Sequence, residues 1–327
     1  MTFSTEKIRS AIDSRRTVAI VWAALWLLSL VALAARVPDG RLTDILSAGA
    51  PLWKARALTY LLHIAAITLS GLLLLRLDNA CNLMQKRTWL PATLFFFFNA
   101  CAPALADRLN IGILLSPLLV VWLYLLFGSY QKPGQEAAFA IGLLISAAAL
   151  LWPPAAWWLI AFALGLAYMK TFTWRSITAL ILGVATTVWL LYSVGQLFDL
   201  TLFYPFESFI DLDTHLPFAM QVGGDSKLIR FGIIVLIGVG SCLSGCYLIS
   251  RNKIQIWRSN RFLEVLFLFV AVDALLNPSR MGDFLPLLHL LAAQAGAYYL
   301  IHARNRYVAY QVCIVAVVYL TLYLWNF

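Results

Sequence analysis

Charge is scarce in this chain. Only 12% of its 327 residues are Asp, Glu, Lys or Arg, and 62% are hydrophobic. A soluble domain carries roughly 25% charged and 45–50% apolar residues. Too little polar surface remains to coat a core in water, so a soluble globular fold is excluded. The mean hydropathy of +0.83 agrees. A bilayer suits this composition, because side chains facing lipid need not be polar. Cysteine is also sparse. Cys81, Cys101, Cys242, Cys246 and Cys313 are odd in number and match no disulfide framework. Cys242 and Cys246 share a helix face but lack a partnering His or second Cys pair, so they read as small, soft packing residues. The chain has no phosphate-binding Gly-Lys-Ser/Thr loop, no nucleophile elbow and no paired His on a helix. That excludes an ATP-driven pump within this one chain.

What charge there is carries a net +9. The basic residues fall in short runs between apolar segments, the pattern of membrane topology signals rather than of a nucleic-acid surface. No basic and aromatic patch lies in a soluble stretch, so nucleic acid is not an expected partner. The expected fold is all-α, a polytopic bundle of about eleven transmembrane helices forming one integral membrane domain over 1–327. The first apolar run, Val18 to Ala35, is longer than a signal-peptide core and reads as an uncleaved span. Ten more spans are expected near 59–75, 89–105, 111–127, 137–152, 155–169, 176–195, 228–249, 262–276, 284–301 and 307–325. The Trp152-Pro153-Pro154 corner is the tightest connection, since proline cannot continue a helix. Small residues from Gly238 to Gly245 at i, i+4 spacing predict a close helix-packing face.

Alternating connections place about two thirds of the 24 Lys and Arg residues on the N-terminal side. By the positive-inside rule the N-terminus is cytoplasmic and the C-terminus periplasmic, in a bacterial inner membrane. The outer side holds Asp39, Asp44, Asp107, Asp199, Glu207, Asp211, Asp213, Asp225 and Asp283, a bias that insertion rules do not explain. Two outer loops are long. The first, 37–58, has a candidate interfacial helix from Leu42 to Ala50. The second, 196–227, is acidic and aromatic, with Phe198, Phe203, Tyr204, Phe206 and Phe209.

Polar residues inside spans are costly and mark candidate cavities. Asp273 reads either as an ion pair with Arg280 that holds a helix end or as a group facing substrate. Glu264 reads as interfacial. His63 and His289 read as interhelical contacts or as ligands. Asn99, Ser116, Gln294 and the prolines Pro91, Pro103, Pro117 and Pro286 punctuate spans. Asp211-x-Asp213-x-His215 has ligand types compatible with a divalent cation, at a spacing that is not specific. No resident metal or other cofactor is expected.

The landmarks Asp78-Asn79-Ala80-Cys81-Asn82, Arg87-Thr88-Trp89-Leu90-Pro91-Ala92, Asn99-Ala100-Cys101, Leu114-Leu115-Ser116-Pro117, Leu151-Trp152-Pro153-Pro154-Ala155 and Asn277-Pro278-Ser279-Arg280-Met281-Gly282-Asp283 resemble a family of unknown function, made up of polytopic inner-membrane proteins of Bacteroidota. More distantly, the layout is similar to that of multi-span glycosyltransferases that use polyprenyl-phosphate sugars. It departs from theirs in its short first outer loop and in having no soluble outer domain. That resemblance implies an acidic residue in the first outer loop, Asp39 or Asp44, as a catalytic base. Arg41, Lys54, Arg56 and Arg280 would then hold the phosphate of a lipid-linked sugar. Three readings follow: an enzyme that transfers or polymerises lipid-linked sugars in envelope glycan assembly, a non-catalytic scaffold of an envelope complex, and a small-solute transporter. The bilayer is a partner in all three.

Overall fold

The structure, a computed structural model, describes residues 13–35, 52–102, 110–197, 225–249, 254–303 and 308–325. The described residues contain helices and turns and no strand. Eleven α-helices run along the described chain: α1 (Arg15–Ala35), α2 (Leu52–Cys81), α3 (Leu90–Ala100), α4 (Ile111–Gly128), α5 (Gln135–Leu151), α6 (Trp158–Tyr168), α7 (Trp174–Leu197), α8 (Asp225–Ile249), α9 (Ile254–Leu276), α10 (Met281–His302) and α11 (Val308–Trp325). Five of them contain segments long and apolar enough to cross a membrane: Leu58–Cys81, Ile111–Gly128, Trp174–Ser193, Leu228–Gly245 and Met281–His302.

Local chemistry explains the boundaries. Ser14 caps α1 by accepting the Thr17 amide at 3.1 Å, Asn110 caps α4 by accepting Gly112 at 2.8 Å, and Thr173 caps α7 by accepting Ser176 at 3.2 Å. Pro91 occupies the first turn of α3, where a missing N–H costs nothing. Pro153 and Pro154 start a 3-10 turn (Pro153–Trp157) that ends α5 and leads into α6, as the sequence predicts. Pro117 and Pro286 lie inside α4 and α10, which run through them. The chain leaves α2, α4 and α6 through left-handed residues that are not glycine: Asn82, Gln131 and Lys170. At Asn82 and Lys170 the amide of the next residue reaches back over the last turn, Leu83 to Asp78 and Thr171 to Leu166.

Several expected boundaries move. The loop expected over 37–58 is shorter, because α2 already begins at Leu52 and the stretch that follows contains no helix breaker. Lys54 and Arg56 therefore belong to a helix. The loop expected over 196–227 is helical at both margins, where α7 ends at Leu197 and α8 begins at Asp225. The span expected over 89–105 contains a helix of only 11 residues, Leu90–Ala100, about 16 Å long. It stops at a turn in which Cys101 and Ala102 donate to Phe97 and Asn99.

The helix ends fall into two sets. At the first end, which holds the start of α1, Asp13 accepts Thr88 Oγ1 and the Trp89 amide before α3. There too Asn260 of α9 donates to Leu83 beyond α2, Arg258 donates to Tyr168 at the end of α6, and Tyr299 near the end of α10 donates to Gln311 near the start of α11. At the opposite, distal end, Asn110 before α4 donates to Gly282 at the start of α10, and Arg230 of α8 donates to Cys101 after α3 and to Leu322 of α11. Successive helices thus run in opposite directions.

α10 is the central post. It packs against α3, α4, α8 and α9, and 78% of its most apolar window is buried, against 22% for α7 at the periphery. The outer faces are apolar: Trp174, Ile181, Leu182 and Trp189 on α7, Ile20 and Leu27 on α1, and Ile314 and Val317 on α11 are all exposed. Such a surface belongs against lipid. The closest backbone approach is between the parallel helices α5 and α7. A Cβ on Gly142 would strike the Leu180 carbonyl, and one on Gly183 the Phe139 carbonyl. The small-residue face expected over Gly238–Gly245 is only partly of this kind. Gly238 lies beneath the Phe267 ring, but Gly240 faces open space.

Gly142→Ala and Gly183→Ala are each expected to cost about 1–3 kcal/mol by forcing α5 and α7 apart, while Gly240→Ala is expected to be neutral. Thermal unfolding of the detergent-solubilised variants checks this.

Candidate functional site

Of the residues singled out from sequence, the structure describes the side chains of His63, Asn99, Ser116, Glu264, Asp273, Arg280, His289 and Gln294, among others. Asp39, Arg41, Asp44, Asp211, Asp213, His215 and Pro103 lie outside the described residues, as does the Leu42–Ala50 segment. Lys54 and Arg56 lie in the first two turns of α2, and their side chains lie outside the described ones.

Asn99 and His289 come together. Asn99, on the last turn of α3, donates from Nδ2 to the Phe95 carbonyl at 2.8 Å. Its Oδ1 stands 3.4 Å from Nδ1 of His289 on α10. Both side chains are buried. Aromatic rings enclose the imidazole: Phe98 at 5.8 Å and Tyr319 of α11 at 6.1 Å, with Phe98 and Tyr319 stacked on each other at 4.8 Å. Arg230 closes the distal side of this cluster. It is only 6% exposed, and it donates from Nη1 to the Cys101 carbonyl at 3.3 Å and from Nη2 to the Leu322 carbonyl at 3.1 Å. Those carbonyls lie at the C-terminal ends of α3 and α11, where a guanidinium complements the negative pole of each helix. Arg230 thus ties α8 to two helices at once. Sequence reasoning passed over it, although it stands inside the expected span 228–249, where an Arg is costly.

Asp273 builds a second cluster. It is 3% exposed, near the distal end of α9. Its Oδ2 accepts the indole N–H of Trp158 at 3.0 Å and its Oδ1 accepts Asn277 Nδ2 at 3.0 Å. Of the two readings open for Asp273, the ion pair with Arg280 does not form. The carboxylate turns inward between α6 and α9, where two neutral donors take its two oxygens, while Arg280 sits in the 3-10 turn Pro278–Arg280 beyond the helix end. Trp158 meets Trp122 and Trp152 edge to face at 5.6 and 5.8 Å, and Trp152 packs on Phe284 at 4.6 Å. Trp158's role is not legible along the chain, since nothing distinguishes it from the other eleven tryptophans.

His63 is buried on α2 and bonds to neither cluster; its Nδ1 has no hydrogen-bond partner among the described residues. Ser116 donates to the carbonyl of Gly112 within its own helix. Glu264, expected at the interface, is buried and pairs with Arg261 at 3.1 Å. Among the described residues no three His, Cys, Asp or Glu side chains converge on a metal position.

The landmark stretches thus serve as polar anchors. Asp78 accepts the Met84 amide at 3.0 Å, Thr88 binds Asp13, Asn99 meets His289, and Asn277 meets Asp273. A family model described as a family of unknown function (DUF6427) matches residues 53–223, just over half of the chain. The chain belongs to this family. No curated protein and no solved structure matches it. Within the family's matched stretch lie Asn99, Cys101 and Trp158. Their partners His289, Arg230, Tyr319 and Asp273 lie beyond it, so each cluster joins the matched helices to the C-terminal ones.

If Asp273 serves as a hydrogen-bond acceptor, removing the acceptor matters more than removing the charge. Asp273→Leu is expected to lose about 1–3 kcal/mol, because Trp158 and Asn277 lose their partner, and Asp273→Asn less than half of that. Thermal melts of both variants beside the wild type check the order.

Proposed function

We propose that the protein is a multi-pass inner-membrane protein that transfers or polymerises lipid-linked sugars at the periplasmic face in envelope glycan assembly. All eleven helices act as spans in this reading, with the first end in the cytoplasm. The antiparallel succession of helices supports the span count. The basic residues at the first end, among them Arg15, Arg87, Lys132, Lys170 and Arg175, support the orientation. α3 and α6 are too short to cross about 30 Å of hydrocarbon alone. They fit as short spans because their ends are tied inside the bundle, to Arg230 and to Arg258.

The observation that carries the reading is a set of buried charged and polar anchors at the end where the long acidic segments join the bundle. Arg230, Asn99, His289, Asp273 and Asn277 gather toward the distal end. The helix ends joined by segments 36–51 and 198–224 lie at the same end, and those segments carry Asp39, Arg41, Asp44, Glu207, Asp211 and Asp213. In the proposed chemistry Asp44 or Asp39 removes the proton from an acceptor hydroxyl. Arg41, with Lys54, Arg56 and Arg280, holds the departing polyprenyl phosphate by charge and hydrogen bonds. The buried clusters serve as the rigid base beneath this chemistry, and the second acidic segment contacts sugar. An origin in Bacteroidota fits the resemblance of the landmark stretches.

The test is complementation of a deletion strain with wild type, Asp44→Asn, Asp39→Asn, Arg41→Ala and Arg280→Ala at matched protein levels, reading surface glycans and lipid-linked sugars. Deletion is expected to alter the glycans, and at least one single-charge variant is expected to leave them altered, with activity down by a factor of about 100 or more for loss of a general base. Unchanged glycans on deletion, or full rescue by every variant, would sink the enzyme and leave the scaffold.

A further inference from the structure

One opening formed by the described residues lies toward the first end and away from the clusters above. It is a groove of about 360 Å³ between α8 and α9, closed at one side by Tyr168, within the size range of small-ligand sites. Val239, Leu243 and Leu268 form its wall, and Leu243 and Leu268 are themselves exposed on the apolar outer surface. The groove therefore opens sideways, toward the surface that belongs against lipid. Its polar end is built differently. Arg261 lines it, about a third exposed, with Glu264 at 3.1 Å and Trp257 one turn earlier on α9.

The far side of Glu264 fixes which end of an occupant goes where. A second cavity of about 10 Å³ lies there, also lined by Glu264, with Gln294 of α10 and Ser241 of α8. That volume is about the room one water needs. Gln294 is 1% exposed, and neither its amide nitrogen nor its amide oxygen has a hydrogen-bond partner among the described residues. An unpaired amide is costly in an apolar interior, so this end of the groove is a place for polar atoms. The other end offers hydrocarbon only.

The geometry points to a binding site for an anionic phospholipid on the cytoplasmic side of the bundle. One acyl chain lies along Val239, Leu243 and Leu268, and the phosphate meets Arg261. The occupant is amphiphilic because the groove is apolar along its length and charged at one end. It is anionic because the mouth belongs to the more basic end of the bundle, with Arg258 on the turn before Arg261. The tryptophan sits where a ring with one wet edge is favoured, at headgroup depth. Arg258 itself is anchored, donating to the Tyr168 carbonyl at 3.1 Å, and so holds the α6 end that closes the groove. The site rests on the reading of the chain as membrane-spanning, but not on sugar transfer.

The experiment uses the full chain in nanodiscs with phosphatidylglycerol carrying a photoactivatable diazirine in one acyl chain, and with the matching phosphatidylcholine probe. Adducts are mapped by mass spectrometry. Adducts at 239–243 and 265–268 are expected to exceed those on the exposed α7 face around Ile181 and Trp189, and to be stronger for the anionic probe. Val239→Trp, which fills the groove without touching a charge, is expected to abolish the excess while leaving the melting temperature unchanged. Arg261→Gln is expected to cut the anionic preference about fivefold, the effect of one basic side chain at a membrane surface. Equal labelling of groove and α7, or an excess that survives Val239→Trp, overturns the site. Absence of adducts on every apolar face overturns instead the membrane reading beneath it. Competition by inorganic phosphate that removes the excess would assign the site to a free anion and overturn the lipid.

Discussion

Lipid offers no hydrogen bonds, and the whole arrangement follows from that. In water a stray amide or carboxylate is cheaply solvated; in this bundle one that is left unpaired is costly, and most are paired by another part of the chain. The helices satisfy their own backbones along their length, but their ends and a few internal side chains do not. Asp13, Asp78, Asn99, Asn110, Arg230, Asn260 and Asp273 do that work, each binding a backbone group or a side chain at or near a helix terminus. Because such bonds form only when particular ends meet, they also set which helix lies beside which. Apolar packing alone would leave that choice open, since one face of Leu and Phe resembles another.

The packing between these anchors divides into two kinds. α5 and α7 meet through Gly142 and Gly183, backbone against backbone, so their attraction comes from close contact along parallel axes. Around α10 the contacts are larger and more aromatic, with Trp122, Trp152, Trp158, Phe162 and Phe284 edge to face or tilted. α10 carries His289 and Gln294 through this region. Arg230 and Asp273 take their places on α8 and α9, the helices on either side. The central helix is therefore both the most buried of the five long apolar helices and the one about which the polar groups collect.

The two ends of the bundle differ in kind. The distal end pairs its polar groups within the protein, through Arg230 with two carbonyls and Asp273 with two neutral donors. The first end is richer in basic residues and includes an open lateral groove whose far wall hides an unpaired amide. A cationic, half-open end suits contact with the headgroups of the membrane itself.

Composition and hydropathy were enough to establish the solvent, the helical class and the approximate place of each apolar helix, because burial in lipid demands long apolar runs that nothing else explains. Local signals also placed the corner at Pro153 and Pro154, and the polar character of Asn99, Asp273 and His289 was plain from their apolar surroundings. Their partners were not. That Asp273 answers to Trp158 rather than to Arg280, that Asn99 meets His289 from 190 positions away, and that Arg230 joins the ends of α3 and α11 depend on which helices are neighbours. So does the contrast between Gly142, jammed against a carbonyl, and Gly240, which faces nothing. Along the chain each of these is a polar or small residue in an apolar run; what it touches is set by the three-dimensional order of the helices, because a hydrogen bond of about 3 Å is specified only once both ends are in place.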